Sequence, residues 1–159
     1  RIVIPFLSFL ELLLSSQCLA EVVEDPENSF ARKIIDFTKK TIVKTGHSKK
    51  LTGSANVFCE LIRVGGAVMR LSFAQLGIFL CHRYLWLRRQ TSYKLYEALT
   101  MCLDNMGLDP TTQEEVLEIV GNTAWDNLST EEVREKRNTL FRLLNLTPPR
   151  KIVGRSAPE

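Results

Sequence analysis

The sequence predicts an all-α fold built from antiparallel helix pairs. Three observations carry that expectation. Apolar residues recur at helical spacing in seven separate stretches, and no stretch alternates as a strand would. Glycine, proline and N-capping residues punctuate those stretches. The starts of successive pairs fall near 27, 67 and 111, a period of about 40 residues, which is the spacing of HEAT or armadillo repeats.

The first helix is read over Ile2–Ser16, with Leu7, Leu10 and Leu14, together with Phe6 and Leu13, at helical spacing. Its start resembles a secretory signal peptide, with Arg1 before an apolar stretch and Cys18-Leu19-Ala20 as a small-x-small site. Glu11, Ser8 and Pro5 interrupt that pattern, so a core helix is the preferred reading. Asp25-Pro26 predicts the cap and first turn of a second helix over 27–45. That helix carries Ala31, Ile34, Ile35, Thr38 and Ile42 on one face, and Gly46 stops it. The third, over 50–63, places Leu51, Ala55, Phe58, Cys59 and Ile62 inward and ends before Gly65-Gly66.

The fourth helix, over 67–83, is apolar on two sides. Met69, Phe73, Leu76 and Leu80 make one stripe, and Leu71, Ala74, Ile78 and Cys81 the other. Such a helix is expected between neighbours. The fifth, over 86–106, has one stripe of Leu87, Thr91, Leu95, Ala98, Leu99, Cys102, Leu103 and Met106. The sixth follows Asp109-Pro110, with Thr112-x-x-Glu115 read as a capping box. The seventh begins with a second box, Ser129-x-x-Glu132, and stops at Pro148-Pro149.

Short connections make successive helices antiparallel neighbours, so the pairs are second with third, fourth with fifth and sixth with seventh. The first helix is then half of a repeat. The chain opens on Arg1 without Met, which is expected of a piece of a longer solenoid. A missing neighbour is expected to cover Ile4, Leu7 and Leu14. The alternative is a compact seven-helix bundle. Residues 1–149 form one helical domain in this reading, and 150–159 a flexible tail.

Composition narrows the function. The chain has 159 residues, 45% hydrophobic and 25% charged, and a formal net charge of +3. Disorder and a nucleic-acid role are disfavoured. No apolar stretch is long enough to span a bilayer. The charge is uneven. Arg32, Lys33, Lys39, Lys40, Lys44, Lys49 and Lys50 face only Asp36, whereas Asp109, Glu114, Glu115, Glu118, Asp126, Glu131, Glu132 and Glu135 face only Arg134. Solvated helix faces explain both clusters; the sharper reading is that the basic stretch meets an acidic protein.

Catalytic signals are absent. There is no phosphate-binding glycine loop and no nucleophile elbow. Four cysteines include no C-x-x-C pair, so neither a metal nor a cofactor is expected. Cys59, Cys81 and Cys102 sit among apolar residues and read as buried reduced thiols. Cys81 and His82 are helix neighbours about 100° apart, which does not make a dyad. The chain is not expected to be an enzyme. Surfaces must carry its function, and the candidates are Lys39, Lys40, Lys44, His82, Arg83, Trp86, Arg88, Arg89, Tyr93 and Tyr96. Trp86 and Trp125 also suit gaps between helices.

Several blocks resemble one family. Leu51-Thr-Gly-Ser-Ala-Asn-Val-Phe-Cys-Glu-Leu61, then Leu80-Cys-His-Arg-Tyr84 and Arg88-Arg-Gln-Thr-Ser-Tyr-Lys-Leu-Tyr-Glu-Ala-Leu99, are similar to the C-terminal region of tubulin-folding cofactor D. So are Asn122-Thr-Ala-Trp-Asp126 and Val133-Arg-Glu-Lys-Arg-Asn-Thr-Leu140 with Leu143-Leu144. The resemblance is clear over 51–149, weaker over 1–50, and departs from the family between Met101 and Val116 and at the end. It implies the extreme C-terminus of a HEAT/armadillo solenoid and a tubulin-specific chaperone. The implied partners are β-tubulin, cofactors C and E and an Arf-like small GTPase. The implied activity is to form or dissociate αβ-tubulin dimers and stimulate tubulin GTP hydrolysis, with the catalytic arginine attributed to cofactor C. Cytoplasm, cytoskeleton and centrosome are the implied locations. The competing class is a HEAT-type adaptor of another cytoplasmic or centrosomal assembly.

Overall fold

A computed structural model describes residues 2–150. Among them are eight α-helices: α1 (Val3–Ser15), α2 (Ala20–Glu24), α3 (Phe30–Ile42), α4 (Ser48–Leu61), α5 (Gly66–Leu80), α6 (Leu85–Cys102), α7 (Pro110–Asn122) and α8 (Thr130–Leu143). Short 3-10 turns, Ile62–Val64 and Leu103–Met106, extend α4 and α6. No strand occurs among the described residues. The fold class is all-α, as the periodicity predicts. Apart from Arg150, the expected tail lies outside the described residues.

Local chemistry corrects several boundaries. Asp25-Pro26 does not open a helix. The Asp25 carboxylate accepts the Glu27 amide at 2.9 Å, which makes a turn, and α3 starts only at Phe30. The extra short helix α2 sits before that turn, where Val23 is buried. In α7 the cap is Asp109 rather than Thr112. Asp109 accepts both the Thr112 amide (3.0 Å) and its hydroxyl (2.6 Å), while Pro110 occupies the first turn. The Ser129–Glu132 capping box forms as expected. Gly65 (φ 76°) and Gly66 (φ 53°) take the left-handed turn that separates α4 from α5.

Two layers follow from the apolar stripes. α1, α4, α6 and α7 lie side by side, and α3, α5 and α8 pack across them. Ile4, Ser48 and Trp86 share one end of a groove, with Glu11 and Asn56 further along. At the far end the Arg63 guanidinium donates to the Leu14 carbonyl. Hence α1, α4 and α6 run parallel, as equivalent helices of successive pairs do. The pairs α3–α4 and α5–α6 pack as expected. The third pair reverses the alternation: α7 stays in the layer of α6, antiparallel to it, and α8 crosses to α5. A continuous repeat is therefore seen in two pairs only.

The first helix is not an orphan. Leu7, Leu10 and Leu14 are buried, and α1 packs against α4 of this same chain. Gly53 brings the two helices close, since a Cβ there would stand 3.3 Å from the Leu7 Cβ. What α1 leaves uncovered is the opposite face, with Ile2, Phe6, Phe9 and Leu12. In α5 the Phe73, Leu76 and Leu80 stripe is buried, but Ile78 of the second stripe points to solvent. Gly77 lets Phe141 of α8 pack on the α5 backbone.

Candidate functional site

The proposed contact residues fall largely at one end of the layers, where the α3–α4 and α5–α6 corners meet. Gly46 lies under the Tyr84 ring; a Cβ there would reach the phenol oxygen at 2.8 Å. The Arg83 guanidinium stacks on Tyr84 at 4.8 Å and donates to its hydroxyl at 3.0 Å. Tyr84 in turn stacks on Trp86 at 5.7 Å with nearly parallel rings. Trp86 keeps 37% of its surface exposed.

From Trp86 a stripe runs down the outer face of α6. Trp86, Arg89, Tyr93 and Tyr96 follow at i, i+3, i+7 and i+10 and are all exposed. Arg89 donates to the Tyr93 hydroxyl at 3.0 Å and pairs with Asp126 at 3.7 Å. A shallow polar groove of about 390 Å³ separates this stripe from Asn122–Asp126. On its other side, a groove of about 480 Å³ is lined by Ser8, Lys49, Thr52, Trp86 and Gln90. Lys40 and Lys44 are exposed and Lys39 half-buried at the end of α3. Among the described residues none of these three lysines forms an ion pair.

Arg88 does not belong to this surface, which corrects the expectation. Arg88 is only 4% exposed. It donates to the carbonyls of His82 (2.5 Å), Leu128 (3.1 Å) and Trp125 (3.5 Å). It thus ties the α5–α6 corner to the α7–α8 loop. Trp125 is the core anchor its composition suggested, buried and donating its indole N–H to the Val120 carbonyl at 3.0 Å.

His82 is half-buried. Its Nδ1 accepts the Tyr84 amide at 3.1 Å, so the ring proton sits on Nε2. Burial, with the Arg83 and Arg88 charges added, pushes its pKa down. Burial raises the Cys81 thiol against the opposing pull of Arg137, Arg88 and Arg134. With the thiol up and the imidazole acceptor occupied, the two neighbours form no nucleophile–base pair. Cys59 and Cys102 are buried and free, as expected; burial pushes Cys102 up to about 11. Among the described residues no cluster of His, Cys, Asp or Glu could hold a metal ion, and no helix is long and apolar enough to cross a membrane.

A polar network escaped the sequence reading. Glu11 of α1 meets Lys94 of α6 at 3.2 Å and accepts from Asn56 of α4 at 2.9 Å. Lys94 also faces Glu60 at 3.7 Å, and Glu60 binds Arg63 at 3.2 Å. Burial works to lower the Lys94 pKa. The Glu11 hydrogen bond and the charges of Glu11, Glu97 and Glu60 outweigh it and leave it raised. The available signal was Glu11 itself: a lone carboxylate in an apolar helix demands a partner.

Fold and surface together define an all-α protein of layered helix pairs with a basic, aromatic end. Residues 1–50 match the family model described as tubulin folding cofactor D C terminal. The match covers α1 through the start of α4, the part in which the sequence blocks were weaker. No solved structure matches the chain.

Proposed function

We propose that this chain is a C-terminal segment of a tubulin-folding chaperone that presents its basic, aromatic end to acidic protein partners. The carrying observation is the family match over residues 1–50, which contain Lys39, Lys40 and Lys44 of that end. β-Tubulin is the proposed client, and cofactors C and E with an Arf-like small GTPase the proposed companions. In that assembly the segment acts as a scaffold while αβ-tubulin dimers form or come apart and tubulin GTP hydrolysis is stimulated. Cytoplasm and cytoskeleton are the proposed setting.

The physical support is electrostatic. Unpaired exposed lysines raise the encounter rate with an acidic surface, and that gain is screened by salt. Exposed Trp86, Tyr93 and Tyr96 supply contact area with few rotamers to freeze. The test measures association with purified αβ-tubulin over increasing salt. The on-rate should fall steeply with salt and drop in Lys40→Glu/Lys44→Glu. An on-rate indifferent to both would refute the assigned surface.

A further inference from the structure

A groove of about 370 Å³ lies between the starts of α3 and α5. Its floor is apolar, with Val23, Ala31, Val64, Val68 and Leu71. Val23 and Ala31 are buried, and the other three are half-buried. Its rim is acidic. Glu24, Asp25 and Glu27 line the α2–α3 turn, are exposed, and form no ion pair among the described residues. Arg32, the base in the lining, pairs with Asp36 at 3.7 Å. The groove also holds unmet backbone donors. α5 starts without a side-chain cap or an acid in its first turn. The amides of Gly66, Ala67 and Val68 have no acceptor among the described residues. An extended segment with apolar side chains, flanking bases and free carbonyls complements all three features.

One segment of this chain has that chemistry and begins near the groove. Arg150-Lys151-Ile152-Val153-Gly154-Arg155 places two apolar residues between bases. Leu146 lines a second groove with Gly65 and Gly66, and those two glycines also line the first. A Cβ at either glycine would meet nothing within 4 Å, so the ridge between the grooves is open to a crossing chain. Pro148 and Pro149 are half-buried, and consecutive prolines favour an extended backbone. Ile152 follows Leu146 by six residues, a reach of about 20 Å. We infer that residues 150–155 dock in this groove, with Ile152 and Val153 on Val64, Val68 and Leu71 and with Arg150, Lys151 and Arg155 along Glu24, Asp25 and Glu27. Chain ahead of Arg1 is a poorer occupant. It joins α1 at the Ile4 end, whereas the groove lies at the Leu14 end, next to Arg63. A helix placed ahead of α1 by the repeat rule would extend the crossing row past α3, on the side away from α5. The tubulin reading is independent: its lysines lie toward the end of α3, and the groove at its start.

The test is limited digestion of the full chain with an arginine-specific protease, read by mass spectrometry as the initial cleavage rate after Arg155. Each chain is compared with a free peptide of its own residues 150–159, which gives the undocked rate. The wild-type chain should be cut about tenfold more slowly than its peptide at low salt, because cleavage follows the undocked fraction. Glu24→Lys/Glu27→Lys should abolish that protection, and so should Ile152→Asp/Val153→Asp. Glu24 and Glu27 are exposed, so their reversal leaves the core intact. Adding Arg150→Glu/Lys151→Glu to the rim reversal should restore most of the protection. A wild-type rate equal to the peptide's would overturn the inference and leave the groove to a basic segment of another protein. So would protection that survives the rim reversal, or protection that grows with chain concentration, which assigns the groove to the tail of a second copy.

Discussion

Replacing Arg88 separates a structural staple from a contact residue. Its guanidinium is buried and bonds the carbonyls of His82, Leu128 and Trp125. Removing it strands those acceptors away from water and opens a gap between α6 and the α7–α8 loop. Hydrogen bonds to a charged group contribute about 1.5–3 kcal/mol each. The 3.5 Å contact to Trp125 adds little, so two bonds dominate and Arg88→Ala should cost about 3–6 kcal/mol. For a chain of this size that is about 2 M in urea midpoint. Arg88→Lys keeps the charge, but its compact ammonium cannot span carbonyls on two separate loops, so it should recover less than half. Arg89→Ala, at the neighbouring exposed position, should leave the midpoint unchanged. The assay is equilibrium urea unfolding followed by far-UV circular dichroism. If Arg88→Ala unfolded at the wild-type midpoint yet bound partners more weakly, the staple assignment would be wrong.

Other expectations rest on the same geometry. Gly77→Ala should destabilise by about 1–3 kcal/mol, because its Cβ would stand 2.6 Å from the Phe141 ring, and Phe141→Leu in the same chain should recover part of the loss. A double mutant no better than Gly77→Ala would contradict that packing. Ser129→Ala should cost about 1 kcal/mol by removing the α8 cap, measured by thermal unfolding. The Ser129 hydroxyl and amide hold Glu132 below its ordinary 4.5, and Asp109 is held below 3.8 by the Thr112 hydroxyl and amide. Both carboxylates therefore stabilise the fold above about pH 4.5 and lose that effect as acid protonates the folded state. Flat stability between about pH 5 and pH 2 would contradict this. Lys94 has the opposite sign. Its folded pKa lies above the ordinary 10.5, so its contribution is present below that value and is lost as pH rises through the folded pKa. Lys94→Met should remove that alkaline loss from a urea titration.

The helices were legible because apolar stripes survive in sequence. Leu87, Thr91, Leu95 and Leu99 are all buried as their spacing requires. Boundaries were less legible where a side chain competes with the backbone. Asp25 and Asp109 look alike before a proline, yet one closes a turn and the other caps a helix. The residues after the proline make the difference: Thr111-Thr112 continue the helix with a hydroxyl for the Asp109 carboxylate, whereas Asn28 accepts the Phe30 amide and prolongs the turn. The position of α1 was not readable at all. Its periodicity shows one buried stripe, but that α4 covers it depends on tertiary packing through Gly53. The candidate surface was partly legible. Trp86, Arg89, Tyr93 and Tyr96 lie off the core stripe and are exposed. Arg88 and Arg89 are adjacent and chemically identical in sequence; only the arrival of the α7–α8 loop buries the first.

The reversed third pair bears on how the stack ends. α7 remains beside α6, so its Glu114, Glu115 and Glu118, with no base in that helix, lie at the edge of the layer opposite α1, while the basic α3 lies toward the α1 side. That layout explains how a chain with a mild net charge can present two opposed electrostatic faces.

The most direct test of the tubulin-chaperone reading is mass-spectrometric identification of proteins captured by this chain and by its Lys40→Glu/Lys44→Glu/Trp86→Ala variant. Enrichment of β-tubulin and tubulin-folding cofactors on the wild type, lost on the variant, is the expected result. Capture of another assembly without tubulin, or tubulin capture equal on both, would contradict the account.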